Sequence, residues 1–485
     1  MPAIILGIVS SVGGAVHHVK SIGAANAEAS PGDTVYIQAG TYNETLQPDR
    51  SGTAENYITF KPEGGDVILT TSGHAVELAN RSYIVIDGLS MLDVGGNWVN
   101  LEPMGHHNII QNCHMQENRS WAGLNIQDNA NYNKILNNVF IGNCKPADLV
   151  LVWNASHNLI EGNTFLGGIH DALNIQDRIN GTTSYNVIRN NYFQNKWHSN
   201  TDTWGVEYIL FEGNTIIDGG EDAADNACGS ERDRSMDRVE HKGLHANTRF
   251  GIYRRNIMVN NGSGLQLVSS TKDWKIPLED NGFFHNTMSR NYIGIRNLHY
   301  YTATSRNNVV KNNIVYNNRD AEIAVSNTPG TADQYMHNNI YGATEQYAPG
   351  DARWDNISVH PRFADEFSRD FHLQSESPMI DAGGWLTTTV SAGSGVQIPV
   401  EDARYFMDGW GVIEGDLIQL QGQTRTARIT GVDYDNNILT IDQNLTWSLD
   451  LGVSLPYHGS APDIGAYEYG FTTGVSTSTI RAEPD

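Results

Sequence analysis

Cysteine and charge are both scarce in this 485-residue chain, and each shortage excludes something. Three cysteines, Cys113, Cys144 and Cys228, are too few and too scattered for a disulfide framework or a zinc site, so they read as small buried side chains. Charged residues make up only 18% and apolar residues 39%, which excludes a disordered, charge-rich protein and leaves neutral polar groups to cover the surface. Basic residues are the scarcer sign. With 31 Lys and Arg against 55 Asp and Glu the net charge is −24, a field that repels nucleic acid and anionic membranes. The apolar stretch from Ala3 to Val16 is too short to span a bilayer and lacks the basic start of a signal peptide. It is expected to be a mature N-terminus or a capping strand of a secreted, extracellular or periplasmic protein.

What is abundant is Gly, at 48 residues, and Asn through the middle of the chain, a composition that does not suit a helical bundle. The Asn residues are periodic. They recur in IIQNCH (Asn112), KILNNVF (Asn138), LIEGNTF (Asn163), VIRNNYF (Asn191), LFEGNTI (Asn214), IYRRNIM (Asn256), FFHNTM (Asn286), VVKNNIV (Asn313) and YMHNNIY (Asn339). Asp87 in YIVIDGL and Lys61 in YITFKP extend the register upstream. The usual spacing of about 25 residues leaves no room for a crossover helix, and each register is a short β-branched run bounded by Gly and Asn. Such coils must stack in parallel, so the fold class is all-β, a parallel solenoid of about 11 coils. Asn at one turn position fits, because it tolerates left-handed backbone and its amides can bond along the column.

The ends differ from the middle. Lys20 to Ser30 predicts a short capping helix, followed by the first strand in PGDTVYIQAGTYNE. SPMIDAGG (377–384) and SAPDIGAYEYG (460–470) look like two halves of one closing segment, split by residues 385–459, whose alternation predicts a small antiparallel β module. The expected organisation is therefore 1–384 solenoid with cap, 385–459 inserted module, and 460–485 closing segment and tail. The repeats, the PGDTVYIQAGTYNE opening and the SPMIDAG…PDIGAYE closing together resemble the right-handed parallel β-helix superfamily, the pectate-lyase-like fold. That superfamily includes polysaccharide lyases, glycoside hydrolases, epimerases and phage tailspikes, so the resemblance implies the fold and leaves the activity open.

A second strand follows each Asn by roughly ten residues. Aligned on Leu124, Leu149, Leu173, Leu244, Leu265, Ile295 and Ile323, these strands place Asn125, Val150, Asn174, His245, Gln266 and Arg296 outward, preceded by Trp121, Asp148, His170, Asp171, His241 and Lys242. In the coil of Asn191, NKWHSN offers Trp197 and His198 at the equivalent turn, and His198 lies 28 residues after His170. Polar and aromatic groups thus gather on neighbouring rungs, the pattern of a binding groove. Seven Lys or Arg between Arg232 and Arg255 reverse the chain's sign locally and suggest an anion site such as a uronate carboxylate. Glu221, Asp222 and Asp225 are hard oxygen ligands spaced closely enough for Ca²⁺.

Three functions fit. A polysaccharide lyase removing the proton next to a uronate needs a base and cations: Lys242 with His241 is the first candidate, then His170 and His198, with Arg238, Arg249 or Arg254 neutralising the carboxylate. EHKG…GSGLQL resembles the alginate lyase and chondroitinase B group, which implies Lys242 as a base and Ca²⁺ as cofactor. The Arg that follows the apolar pair in that group is Val268 here, so only Lys242 carries over. A glycoside hydrolase needs two facing carboxyls, for which Asp148 and Asp171 occupy matching slots, with Asp177 at the strand's exit. The third possibility is a non-catalytic carbohydrate-binding, adhesive or tailspike-like solenoid. The expected partner in each case is a polysaccharide or oligosaccharide, with no nucleic acid and no membrane insertion.

Overall fold

The computed structural model describes residues 14–142, 148–168, 170–177, 181–194, 198–219, 241–272, 275–300, 303–326 and 332–471. The chain winds as a right-handed parallel β-helix of about 11 turns. One parallel sheet of 11 strands runs from Val76–Glu77 to Thr344–Glu345, and the remaining walls join into a 25-stranded parallel sheet. The single helix among the described residues, Ile22–Glu28, starts at Ser21, whose side chain accepts the Ala24 N–H at 3.2 Å. Its Ile22 and Ala25 join the core with Val35 and Ile37, closing the first coil. Inside, rings stack coil on coil: Phe140, Phe165 and Phe193 at 4.8 and 4.6 Å, then Phe211, Tyr253 and Phe283 at 5.3 and 4.8 Å.

The Asn repeat is a buried amide ladder. The backbone N–H of Asn138 donates to Asn163 Oδ1 at 2.9 Å, while Asn138 Nδ2 donates to the same oxygen and to the Ile110 carbonyl. The pattern continues through Asn191, Asn214, Asn256, Asn286, Asn313, Asn338 and Asn356. Three expectations are corrected here. The rung before Asn138 is Cys113, not Asn112, whose amide instead donates to Asp87 at 2.7 Å. The late rung is Asn338, not Asn339; a doublet of Asn cannot be resolved by period alone. The left-handed residue is the one before the ladder Asn, as at Asn137, Gly162, Asn190, Gly213 and Asn312, because the turn must swing the following amide inward. Cys113 is buried and its thiol is pushed up to about 12 by burial, as an inert core side chain should be.

Removing one rung strands several buried groups at once. Asn256 Oδ1 accepts from the backbone and side chain of Asn214, and its Nδ2 donates to the Phe211 carbonyl and to Asn286 Oδ1. At about 1–3 kcal/mol per unsatisfied buried group, partly relieved by relaxation, Asn256→Ala is expected to destabilise by about 2–4 kcal/mol in denaturant titration. A loss within the roughly 0.5 kcal/mol of an ordinary surface change would deny the ladder its structural role.

A second ladder lies outside. Tyr83, His107, Tyr132, His157, Tyr185, Tyr208 and Phe250 stack with centroids 4.6–5.0 Å apart. All seven hold left-handed backbone, with φ from 49° to 59°.

The segments around 383 and 462 meet. Gly383 N donates to the Pro462 carbonyl at 2.7 Å and Asp381 N to Asp463 Oδ1 at 2.7 Å. Between them an antiparallel six-stranded sheet spans Thr387–Thr388 to Gly452–Ser454. It packs Phe406, Met407, Ile418 and Leu420 against Leu159, Val187, Leu210 and Ile252 on the solenoid's outer wall. In the closing segment Glu468 accepts the His458 and Asp463 N–H groups at 3.0 and 3.1 Å. Burial, with the Asp463 carboxylate, pushes its pKa up to about 8. A carboxyl that keeps its proton folded but loses it unfolded stabilises less as pH rises towards about 8. The unfolding midpoint should therefore fall over that limb, and Glu468→Gln should flatten it; an unchanged slope would assign the titration elsewhere.

Candidate functional site

The 11-stranded sheet assembles the site by register. Leu124, Val150, Leu173, Thr201, Leu244, Leu265 and Ile295 form one inward column. Val150 thus points into the core, and the outward residue of its strand is Leu151, paired with Asn125 and Asn174. The sequence alignment on Leu149 was one residue out, since DLVLVW is apolar at every position and its pattern does not distinguish the two faces. The coil of Asn191 supplies Ser199–Trp204, in which Asp202 pairs with Asn174. The outward column therefore runs Asn125, Leu151, Asn174, Asp202, His245, Gln266, Arg296. The strand starts bring Asp148 and Asp171 onto adjacent rungs, next to Ser199 and Lys242.

Within this patch two imidazoles stack one coil apart. The His170 and His198 rings lie 5.2 Å apart at 24°. Each is held through Nδ1: His170 by Asp148 at 2.5 Å, His198 by Asp171 at 2.5 Å. Asn174 Nδ2 donates to Asp148 at 3.1 Å and to Asp171 at 3.4 Å. On the next rungs Lys242 Nζ lies 3.3 Å from one oxygen of Asp202, and His245 Nδ1 lies 2.9 Å from the other. Trp204 covers His245 at 4.3 Å, and the Lys275 ammonium sits 3.9 Å over Trp204.

The layering decides which groups can meet a ligand. The side chains of His170 and His198 are 38% and 19% exposed, against 6%, 2% and 5% for Asp148, Asp171 and Asp202. The carboxylates form a buried second layer that orients a surface of imidazoles. Burial opposes charge on His170, yet the Asp148 hydrogen bond and the nearby carboxylates push its pKa up to about 9. Burial and the neighbouring Asp171 charge raise Asp148. Burial also works to raise Asp171, but His198 and His170 outweigh it and hold the carboxyl below its ordinary value. Asp202 is held well below the usual carboxylate range despite burial, chiefly by Lys242. His245 is lowered by burial, with Lys242 adding to the effect.

Other candidates lie apart from this cluster or at its margins. Trp121 is exposed at the edge, its carbonyl accepting the Asp148 N–H. Asn125 bonds Asn100 and Glu102, lower in the outward column. Gln266 and Arg296 continue that column beyond His245 and are buried, and His241 is buried beside Lys242. Asp177 is a turn residue, accepting Thr183 N–H at 3.0 Å and the Thr182 hydroxyl at 3.2 Å. Arg249 pairs with Glu207 on the next wall. Arg254 is buried between Glu212 and Asp416, joining the solenoid to the C-terminal sheet, and so is no carboxylate receptor for a substrate. Trp197, Arg238, Glu221, Asp222 and Asp225 lie outside the described residues.

Asp202 and Trp204 were missed from sequence because SNTDTW lacks an apolar signature. Counting ten from Asn191 would have found Thr201 and hence Asp202. Among the described residues, His170, Asp171 and His198 form the group that could hold a metal, with ligand atoms all within 4.8 Å of one another. Imidazole and carboxylate donors suit zinc, copper or a similar ion better than Ca²⁺, which prefers oxygen alone. Among the described residues, no helix is long and apolar enough to cross a membrane.

Residues 27–232 match the family described as periplasmic copper-binding protein (NosD), and residues 281–396 match the family described as disaggregatase related. No curated protein matches. Among solved structures, the catalytic unit of a thermostable α-1,3-glucanase of glycoside hydrolase family 87 from Streptomyces thermodiastaticus strain HF3-3 is similar at TM-score 0.50 and 12% identity. That alignment covers 72% of this chain and 69% of the glucanase. The alginate lyase AlyGC of polysaccharide lyase family 6 aligns at TM-score 0.45 and 16% identity over 75% of this chain, which spans only 57% of that lyase. Pectate lyase Pel9A aligns at 0.42 and 13%, over 90% of this chain and 88% of that one. The likeness to the glucanase is one of fold, the parallel β-helix.

Proposed function

We propose that this protein cleaves a uronic-acid-containing polysaccharide by β-elimination at the His170–His198 surface. The observation that carries the reading is the layering just described: two adjacent imidazoles reach the surface, and buried carboxylates fix both through Nδ1. With Nδ1 fixed on Asp171, His198 acts as the base in the form whose Nε2 carries no proton, as a base oriented by a carboxylate does. His170, cationic up to about 9, stands beside it as an acid.

In the step, His198 Nε2 takes the proton from the carbon next to the uronate carboxylate. The C–H electron pair forms the new C=C bond. The glycosidic C–O bond at the β position breaks, and its oxygen leaves with that bond's electrons and takes the proton of His170. Only a sugar bearing a carboxylate at this carbon has a proton acidic enough for an imidazole, which selects uronates. The charge that develops on the carboxylate is offset by His170. Lys242 thus holds Asp202 in place rather than acting as the base first expected, because its ammonium is buried in an ion pair. A polysaccharide substrate would place this activity outside the cytoplasm.

One observation favours a second reading, a glycoside hydrolase. Asp148 and Asp171 are shifted in opposite directions on adjacent rungs, the signature of an acid and a nucleophile or base. Their burial behind the imidazoles weighs against it. Incubation with polygalacturonate, alginate, hyaluronan and a neutral β-glucan, with and without a chelator, separates the outcomes. Ultraviolet absorbance of an unsaturated product together with new reducing ends is expected. Reducing ends alone would establish hydrolysis, and neither product would leave a binding solenoid.

A further inference from the structure

We propose that the seam between the solenoid and the C-terminal sheet is a second saccharide-binding site, a one-ring pocket that anchors the polysaccharide away from the cleavage groove. A cavity of about 120 Å³ opens there, lined by Tyr208 and Phe250 from the solenoid and by Arg404, Trp410, Tyr434 and Asp435 from the C-terminal sheet. This is well under the ~300 Å³ of an ordinary small-molecule cleft, so it takes a single ring and not a length of chain.

The outer aromatic ladder explains why the pocket lies there. In a stack each ring face is covered by its neighbours, so only a terminal rung can offer a face to a ligand. At one end Tyr57 packs edge-on against Tyr83 at 5.4 Å and closes the column. At the other, Phe250 is the last ring: the next residue in register is Asp280, which binds Arg404. The C-terminal sheet then adds aromatic walls. Trp410 stands edge-on to Tyr185 at 5.6 Å, and Tyr434 is tilted against Tyr208 at 6.3 Å. Trp410 holds φ at 51° between Gly409 at 89° and Gly411 at 70°. A bulky side chain in left-handed backbone is strained, and such strain concentrates where a side chain must be aimed.

The chemistry of the lining names the ligand class. Aromatic walls suit the C–H faces of a pyranose, while a few polar groups at the rim fix its hydroxyls. Arg404 is held rigid by Asp402 at 2.8 Å and by Asp280, the exposed Asp435 carboxylate accepts from hydroxyls, and Arg249 lies 5.5 Å from the Phe250 ring. Two of the coils that form the groove also form the pocket. Tyr208 follows Asp202 by six residues, so at most about 20 Å of extended backbone separates them.

The proposal rests on the reading that the ligand is a polysaccharide, and binding is therefore measured without turnover. Tetrasaccharides of galacturonate, mannuronate and β-linked glucose are titrated into the whole protein carrying His198→Gln, with calorimetry and tryptophan fluorescence as readouts. At least one is expected to saturate. Adding Trp410→Ala should weaken it about 10-fold or more, and Asp435→Ala, at an exposed position that does not endanger folding, should weaken it several-fold. In the otherwise wild-type enzyme the same changes should raise KM for polymer with little change in kcat. Equal affinity with and without both substitutions, or no saturation by any of the three, would overturn the pocket. Saturation that Trp410→Ala and Asp435→Ala weaken, without cleavage by the wild-type protein, would retain the pocket and remove the elimination reading.

Discussion

His198→Gln is expected to lower the rate of elimination by about 10²–10⁴-fold, the usual contribution of a positioned general base. Glutamine keeps a donor for the buried Asp171 carboxylate but has no basic nitrogen, so the variant should unfold near the wild-type midpoint. His198→Ala should be as inactive and somewhat less stable, because it leaves Asp171, 2% exposed, with one partner fewer. Asp171→Asn tests the same arrangement from behind: an amide cannot fix the Nδ1–H tautomer as a carboxylate does, so kcat should fall with little change in KM. Wild-type turnover by His198→Gln would remove His198 from the base role.

Asp202→Ala is expected to produce the largest loss of stability of any single change at the site, about 3–5 kcal/mol. Asp202 is buried and pairs with Lys242, whose side chain is 7% exposed. Removing it leaves an ammonium in a low-dielectric interior and leaves His245 without its carboxylate neighbour. Pairing Asp202→Ala with Lys242→Met should recover much of the loss, because the buried ammonium goes with the lysine. Denaturant titration of both singles and the double measures the coupling. A double variant no more stable than Asp202→Ala would mean that the pair does not interact.

Much of the architecture was legible because a solenoid is nearly one-dimensional: each coil contacts its neighbours, so the period in sequence is the period in space. Spacing alone brought His170 and His198 together, and their rings do stack at 5.2 Å. The same reasoning failed where local pattern was flat. DLVLVW is apolar on both faces, so Leu149 was aligned in place of Val150. SNTDTW is polar on both, so Asp202 was passed over although it lies between the residues that were chosen. The local excess of Lys and Arg misled at Arg254, because its partners are Glu212, one coil away, and Asp416, 162 residues on.

Composition, the Asn period and the two closing halves were enough to determine a parallel β-helix, its cap, its insertion and the rungs on which its polar groups fall, since these depend on local alternation and on contacts between consecutive coils. Only the tertiary structure decided the layering of imidazoles over carboxylates, the sealing of Lys242 against Asp202, and the seam that Trp410 and Tyr434 make with the aromatic ladder. Burial depth and contacts between distant segments are properties of how side chains share space, and no period along the chain encodes them.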